Sequence, residues 1–221
     1  KRVKKEKADI GLAFDGDADR CFLIDETGGL VNPSALTALI AARELKANPG
    51  ASIIYNLISS KAVPEVIAEN GGVGIRSRVG HSYIKSMMAE TGAVFGGEHS
   101  GHFYFNDFWR ADSGMLAALY ALAELMGSNS SLSELLKPYN RYISSGEINT
   151  KVKDVTKSIS RVRDKYHGKY QVDELDGLTI TASTWWFNLR PSNTEPLLRL
   201  NVEADTEKEM IKIRDAVLAL I

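Results

Sequence analysis

At 221 residues and 44% hydrophobic content, the chain is long enough to bury a core and too apolar for a disordered protein. Its formal net charge of -1 gives no general attraction to nucleic acid or to an anionic membrane, so we expect neither as a partner. The one cysteine, Cys21, excludes an internal disulfide, and no apolar run is long enough to cross a bilayer. These features predict a folded cytoplasmic protein.

An acidic hexapeptide, DGDADR at residues 15–20, is the first motif along the chain. The apolar runs on either side are too short for helices and are predicted as strands, at residues 10–14 and 21–24. Alternation brings Asp15, Asp17 and Asp19 within reach of one cation, and oxygen ligands favour Mg²⁺, Mn²⁺ or Ca²⁺ over zinc. The motif therefore predicts a divalent-metal loop in which Arg20 suits a bound anion, such as a phosphate, beside the metal.

Two other interpretations of this loop stay open. It could be a solvated acidic turn, because short motif matches often mislead. It could also be a helix-loop-helix calcium site, since the first, third and fifth positions are acidic and Glu26 is the twelfth. Against the calcium site, Arg20 stands where that loop needs glycine, and strands are predicted where it needs helices.

Strands and helices are then predicted in alternation up to residue 126. In chain order these are a helix after the Asn32 cap at 34–45, a strand at 52–56, a helix at 61–69, a strand at 73–79, a helix at 82–90, short strands at 93–95 and 103–105, and a helix from the Asp112 cap to residue 126. This order is typical of a layered α/β domain.

A second, smaller α+β domain is predicted after a break at residues 127–131, a short helix at 132–137 and a loosely polar stretch at 142–146. Its elements are strands at 148–152, 178–182, 185–189 and 197–202, a helix at 155–165, and a last helix that starts with a Thr206/Glu209 capping box and runs to residue 221.

Two histidine-bearing turns follow predicted strands of the first domain. The glycine-rich turn GGEHSGH at 96–102 carries Glu98, Ser100 and His102, a set suited to sugar hydroxyls. The turn RVGHS at 78–82 places His81 at a helix start, where a phosphate or hydroxyl can bind. An incidental polar turn and a structural helix cap are the simpler alternatives.

The turn RPSNTEP at 190–196 joins two predicted strands of the second domain. An arginine fork, hydroxyl groups and free turn amides form a natural cradle for a tetrahedral oxyanion. An ordinary polar turn is the alternative, since proline, asparagine, serine and threonine are all turn formers.

Taken together and in this order, the four motifs resemble those of the α-D-phosphohexomutases, and most closely the phosphomannomutase/phosphoglucomutase branch. Members of that family have four domains. The resemblance implies a remnant of domain 2 at residues 1–29, the sugar-binding α/β domain 3 at 30–143 and the phosphate-binding α+β domain 4 at 144–221. It also implies that the missing N-terminal domains belong to the same protein and are its partner.

The resemblance further implies a role for each candidate residue. Asp15, Asp17 and Asp19 would bind Mg²⁺, and Arg20 would lie beside the reacting phosphate. The remaining assignments are His81 and His102 near the transferred group, Glu98 and Ser100 on sugar hydroxyls, and Arg190, Ser192, Asn193 and Thr194 on the phosphate that does not react.

The implied reaction interconverts hexose 1-phosphate and hexose 6-phosphate. A phosphoryl group passes from an enzyme phosphoserine to the phosphorylated hexose, and hexose 1,6-bisphosphate is the intermediate and activator. Because no phosphoserine loop is present in this sequence, we expect the chain alone to be inactive. A non-catalytic, metal-stabilised sugar-phosphate-binding module is the alternative, and mannose and glucose both remain open as the sugar.

Overall fold

A computed structural model describes residues 1–192, 195 and 197–221. The chain forms two compact units, Lys1–Arg141 and Tyr142–Ile221. Residues 1–29 belong to the first unit, so their assignment to a separate domain stays a prediction. In the described part of the chain, no helix is both long enough and apolar enough to cross a membrane.

The first unit opens with a helix and a two-stranded ribbon. Helix α1 (Arg2–Glu6) precedes the antiparallel strands β1 (Ile10–Phe14) and β2 (Cys21–Asp25), which pair from Ile10↔Asp25 to Phe14↔Cys21. Both strands were predicted. Helix α1 was not, because a basic five-residue segment carries no periodic apolar pattern. The ribbon holds residues 15–20 as a closed connection between paired strand ends.

A five-stranded sheet forms the centre of the same unit. Its strands are β3 (Ser52–Asn56), β4 (Val73–Ser77), β5 (Phe95–Gly97), β6 (Phe103–Phe105) and β7 (Ala111–Asp112). They lie in the order β4-β3-β5-β6-β7, and β3 is parallel to both β4 and β5. The carboxyl ends of these three strands therefore share one edge, from which the turns at 78–82 and 96–102 leave.

Helices cover both faces of this sheet. They are α2 (Pro33–Ala47), α3 (Ala62–Glu69), α4 (His81–Thr91), α5 (Gly114–Met126) and α6 (Leu132–Leu135), with a 3₁₀ helix at Lys137–Tyr139. Neighbouring residues of β3 point to opposite sides: Ile53 joins the core under α2, whereas Ile54 packs with Ile84 and Met88 of α4. The predicted layered α/β domain is confirmed.

Several element boundaries differ from the sequence predictions. Strand β4 ends at Ser77 rather than residue 79, α4 begins at His81, and β5 covers 95–97 instead of 93–95. Helix α5 is capped by Ser113, whose Oγ accepts from the Leu116 N–H, and not by the predicted Asp112. The carboxylate of Asp112 is paired with a lysine instead, as described below.

The second unit is an antiparallel sheet with two helices. It comprises β8 (Ile143–Lys151), α7 (Val155–Tyr166), β9 (Gln171–Asp173), β10 (Leu178–Thr181), β11 (Trp185–Pro191), β12 (Leu197–Ala204) and α8 (Glu207–Leu218), with strand order β8-β12-β11-β10-β9. Residues of both helices, such as Val162 and Val217, pack on the apolar face of the sheet. The predicted α+β domain is confirmed.

Two differences concern the edges of this sheet, and a third concerns its last helix. Strand β8 begins five residues earlier than predicted and β9 was not predicted, because both are half-exposed edge strands with polar composition. Only half of the α8 capping box forms: Thr206 Oγ1 accepts from the Glu209 N–H, but the Glu209 carboxylate accepts from Thr184.

Candidate active site

The three aspartates of the acidic loop converge. One carboxylate oxygen from each of Asp15, Asp17 and Asp19 lies within 4.8 Å of the others. Arg20 closes the loop on Asp15, donating its backbone N–H to Oδ1 at 3.2 Å and its Nε–H to Oδ2 at 2.6 Å. Ala18 takes a left-handed conformation, with φ 60°, to complete the turn.

The donor set fits a hard divalent cation. Asp19 Oδ1 is buried and accepts no hydrogen bond in the part of the chain that the structure describes, although Arg20 Nε lies 3.6 Å from it as an ion-pair partner. Burial and the charges of Asp15 and Asp17 raise the pKa of Asp19, although His102 opposes this. Burial would also raise the pKa of Asp15, but hydrogen bonds from Arg20 lower it overall. An unsatisfied carboxylate oxygen among oxygen-only donors is the environment that Mg²⁺ suits.

The calcium-loop alternative loses its twelfth ligand. The Glu26 carboxylate accepts from both the backbone N–H and the hydroxyl of Ser133, at the start of α6. Burial would raise the pKa of Glu26, but these hydrogen bonds lower it overall. Strands also flank the loop, as the sequence predicted, so neither the ligand nor the helices of that site are present.

The glycine-rich turn lies directly against the acidic loop. The Cys21 N–H donates to the Gly101 carbonyl at 3.1 Å, and Arg20 and His102 form an isolated β-bridge. His102 Nε2 is thereby 3.6 Å from Asp19 Oδ2. Its Nδ1 lies 2.9 Å from Ser100 Oγ. The structure therefore brings together side chains that the sequence assigned to metal, sugar and proton transfer.

Glu98 connects this turn to three other elements. Its buried carboxylate accepts from the Gly80 N–H at 3.1 Å, from Asn56 Nδ2 at 3.4 Å and from the Tyr104 hydroxyl at 2.7 Å. A carboxylate has about four acceptor positions, so most of its capacity is used within the protein. The contact of Glu98 with a sugar stays a prediction, whereas its role in holding the turns together is visible.

His81 follows Gly80 at the first position of α4 and is exposed. Gly80 has φ 136°, a conformation that a residue with a side chain rarely adopts. Through its hydrogen bond to Glu98, Gly80 fixes the start of α4 beside the turn at 96–102.

A Lys85–Asp112 ion pair borders the same site, and the sequence analysis did not assign it. Lys85 Nζ lies 2.7 Å from Asp112 Oδ1. An Asp112 carboxylate oxygen is also within 4.8 Å of ligand atoms of Asp19 and His102. Lys85 lies one turn after His81 in α4, so the sequence weakly indicates that it is near the site. Its pairing with Asp112 could not be predicted, because it depends on the position of β7 in the sheet.

The proline-bracketed turn of the second unit is bordered by two arginines that share one glutamate. Arg190 Nη2 donates to Glu147 Oε2 at 2.8 Å, and Arg199 Nη1 donates to Oε1 at 3.2 Å. Arg199 Nη2 also donates to Ser192 Oγ at 3.3 Å. The predicted ligands Asn193 and Thr194 lie outside the described residues. Glu147 and Arg199 were not among the sequence candidates.

Comparison with known proteins identifies the family. The profile described as Phosphoglucomutase/phosphomannomutase, alpha/beta/alpha domain III, matches residues 32–142, and the C-terminal domain profile of the same family matches residues 147–220. The chain belongs to the phosphoglucomutase/phosphomannomutase family. The predicted family and its C-terminal domains are thus confirmed.

Relatives of this mutase-family chain agree with the assignment. A phosphomannomutase of Methanocaldococcus jannaschii is 48% identical over 208 residues, which cover 94% of this chain and 46% of that protein. A phosphomannomutase of Escherichia coli K12 is 40% identical, covering 96% of this chain and 47% of that protein. A crystal structure of a phosphoglucomutase/phosphomannomutase family protein from Burkholderia thailandensis superposes with a TM-score of 0.88 at 32% identity, covering 99% of this chain and 47% of that one. The chain thus spans about half the length of the curated relatives it matches.

Proposed function

We propose that this chain is the C-terminal half of a phosphomannomutase/phosphoglucomutase that interconverts hexose 1-phosphate and hexose 6-phosphate. The observation that carries the proposal is the convergence of Asp15, Asp17 and Asp19 beside Arg20 and His102. Carboxylates with an adjacent arginine and histidine suit phosphoryl transfer, in which positioning and charge stabilisation supply most of the catalysis.

In the proposed reaction, a phosphoryl group leaves an enzyme phosphoserine and bonds to the free hydroxyl of the hexose monophosphate. The resulting hexose 1,6-bisphosphate turns over in the site and returns its other phosphoryl group to the serine. The serine would come from a part of the protein outside this chain, which spans only about half of its relatives. We therefore expect no turnover by the chain alone.

The three aspartates would hold Mg²⁺, which when bound supplies positive charge that offsets the charge of the transferring phosphoryl group. The unsatisfied Asp19 Oδ1 supports this assignment. A structural neighbour, an Aspergillus fumigatus N-acetylphosphoglucosamine mutase, was crystallised with GlcNAc-6P and magnesium; at 14% identity and a TM-score of 0.70 the likeness shows the fold alone.

The side chains around the aspartates would supply proton transfer and sugar binding. His102 would hold or move a proton at the reacting hydroxyl. Two contacts support this role: its Nε2 lies 3.6 Å from Asp19 Oδ2 and its Nδ1 lies 2.9 Å from Ser100 Oγ. His81, exposed at the start of α4, is the second candidate. Ser100 and the remaining acceptor position of Glu98 would bind sugar hydroxyls.

The turn of the second unit would bind the phosphate that does not react. Arg190 and Ser192 border it, and Asn193 and Thr194 complete the proposed set. An arginine fork with hydroxyl and amide donors recognises a tetrahedral oxyanion well.

The test is an activity assay of the full gene product with mannose 1-phosphate and glucose 1-phosphate, in Mg²⁺ with a hexose 1,6-bisphosphate activator. We expect the corresponding 6-phosphate from at least one sugar, and none from the isolated 221-residue chain. Absence of conversion of both sugars by the full gene product would contradict the proposal. It would favour the non-catalytic sugar-phosphate-binding module.

A further inference from the structure

Three charged side chains form a cluster, Arg190–Glu147–Arg199, on the sheet face of the second unit that the helices do not cover. Arg190 and Arg199 are directly opposite each other on β11 and β12. The adjacent Leu189 and Leu200 point into the helix-packed core, so strand alternation places both arginines on the other face. Glu147 reaches both from the edge strand β8.

The two arginines would repel each other without Glu147. Like charges directly opposite on paired strands are unfavourable, and Arg190 is only 6% exposed. Burial lowers the pKa of Arg190, and the charge of Glu147 acts in the opposite direction. One carboxylate thus keeps two close cations in a fixed arrangement and leaves the cluster with one net positive charge.

The cluster keeps hydrogen-bond donors beside the turn. Glu147 accepts one hydrogen bond from each guanidinium group, which has five N–H donors. In the described part of the chain, the buried Nε atoms of Arg190 and Arg199 have no hydrogen-bond partner. Arg199 also reaches Ser192, at the start of the turn. The Glu147 carboxylate thus fixes the two guanidinium groups while accepting one hydrogen bond from each.

We propose that Glu147 is a positioning residue that orients Arg190 and Arg199 to bind the non-reacting phosphate of the substrate. This inference rests on the proposed function of the turn and deepens it. Glu147 does not contact the phosphate; it sets the spacing and direction of the two groups that would. Phosphate affinity therefore depends on a carboxylate that itself carries the wrong charge for an anion site.

The alternative is that Glu147 weakens phosphate binding rather than supporting it. If the Glu147 carboxylate competes with phosphate for the arginine donors, its removal would strengthen binding. Positioning is favoured because Glu147 accepts only one hydrogen bond from each guanidinium group. Without its carboxylate, the buried Arg190 and the half-buried Arg199 would repel each other and move apart. The sign of the change in phosphate affinity therefore separates the two.

The test measures the Kd of inorganic phosphate for the 221-residue chain by isothermal titration calorimetry, at a temperature where circular dichroism shows each variant folded. Glu147→Gln is expected to weaken binding about tenfold, the size of one charged hydrogen bond. Arg190→Ala should weaken it at least as much, since it removes a proposed ligand.

Glu203→Gln is the matched control. Glu203 is a buried glutamate on the same sheet face, where it accepts from Trp186 Nε1 at 2.8 Å. Glu203→Gln should lower thermal stability, as we also expect for Glu147→Gln, but it should change the phosphate Kd by no more than about twofold. If Glu147 had only a structural role, Glu147→Gln and Glu203→Gln would both lower thermal stability and leave the phosphate Kd nearly unchanged.

Glu147→Asp keeps the test decisive if Glu147→Gln does not fold. The shorter side chain withdraws the carboxylate by about 1.5 Å, so it cannot hold both arginines, and we expect about a threefold loss of affinity. Unchanged or tighter phosphate binding by the folded Glu147 variants, with Arg190→Ala impaired, would overturn the positioning role alone. A wild-type chain with no measurable phosphate affinity would overturn the proposed function of the turn as well.

Discussion

Gly114, the first residue of α5, touches the backbone of the acidic loop. Its N–H donates to the Ala18 carbonyl at 3.2 Å. A Cβ at this position would lie 2.5 Å from the Arg20 carbonyl carbon and oxygen and 2.9 Å from the Ala18 oxygen. These are backbone atoms, which cannot rotate away, so no side chain fits here without moving the loop.

We therefore expect Gly114→Ala to lower the free energy of unfolding by about 1–3 kcal/mol and to weaken Mg²⁺ binding. Urea denaturation and magnesium titration measure the two effects. Gly16→Ala is the control within the same loop, because a Cβ on Gly16 meets nothing within 4 Å. Equal losses from the two substitutions would show that the contact of Gly114 is unimportant.

The Lys85–Asp112 pair gives a pH-dependent prediction. Burial would raise the pKa of Asp112, but the Lys85 ammonium and the local backbone lower it overall. A lowered folded-state pKa stabilises the protein above the unfolded value of about 3.9, and the contribution is lost as pH falls through the folded value. At neutral pH the ion pair should therefore add stability.

We expect Asp112→Asn to reduce the free energy of unfolding by about 1 kcal/mol at pH 7, a modest value because Lys85 is partly exposed. The difference from wild type should disappear as pH is lowered below the folded pKa of Asp112. Urea melts at pH 7 and at a series of pH values falling from 4 to about 2, in a chelating buffer, provide the measurement. A difference that persists undiminished at the lower pH would contradict the ion-pair account.

At the scale of elements, the site depends on how Glu98 joins β3, β6 and the start of α4. Each donor to Glu98 comes from a different element: Asn56, Gly80 and Tyr104. A buried carboxylate deprived of one donor is costly, since the desolvated group is left with fewer hydrogen bonds. The contacts of Glu98 therefore couple the alignment of these elements to stability.

Tyr104→Phe tests this coupling. Tyr104 is fully buried, and loss of its hydroxyl should reduce the free energy of unfolding by about 1.5–3 kcal/mol in urea denaturation. Tyr83→Phe, on an exposed side chain of α4, is the control and should change it by less than about 0.5 kcal/mol. If both substitutions lower the free energy of unfolding by the same small amount, the hydrogen bond from Tyr104 to Glu98 does not stabilise the fold.

Elements and motifs differed in how far the sequence could predict them. Strand β3 was predicted within its true bounds, because a strand buried on both faces is a continuous apolar run. The polar edge strands β8 and β9 lack that signal. Likewise the residues of DGDADR by themselves predict a metal-binding loop. The pairing of Lys85 with Asp112, or of Glu147 with two arginines, instead depends on a strand order that local sequence does not encode.

For the molecule as a whole, the proposed functional groups are divided between its two units. The first carries the acidic loop, the histidine turns and Glu98, and the second carries the arginine turn. Each unit matches its own domain profile of the phosphoglucomutase/phosphomannomutase family, and together they span about half of the curated relatives. We propose that the acidic loop serves as the metal centre of a hexose-phosphate mutase.

The most direct test is the kcat/KM of the full gene product for mannose 1-phosphate and glucose 1-phosphate, compared between wild type and Asp19→Asn at saturating Mg²⁺. Asp107→Asn, at an exposed aspartate, is the control. We predict that Asp19→Asn lowers kcat/KM by about 100-fold or more and that the control leaves it unchanged. Wild-type activity in the Asp19→Asn protein would contradict the account.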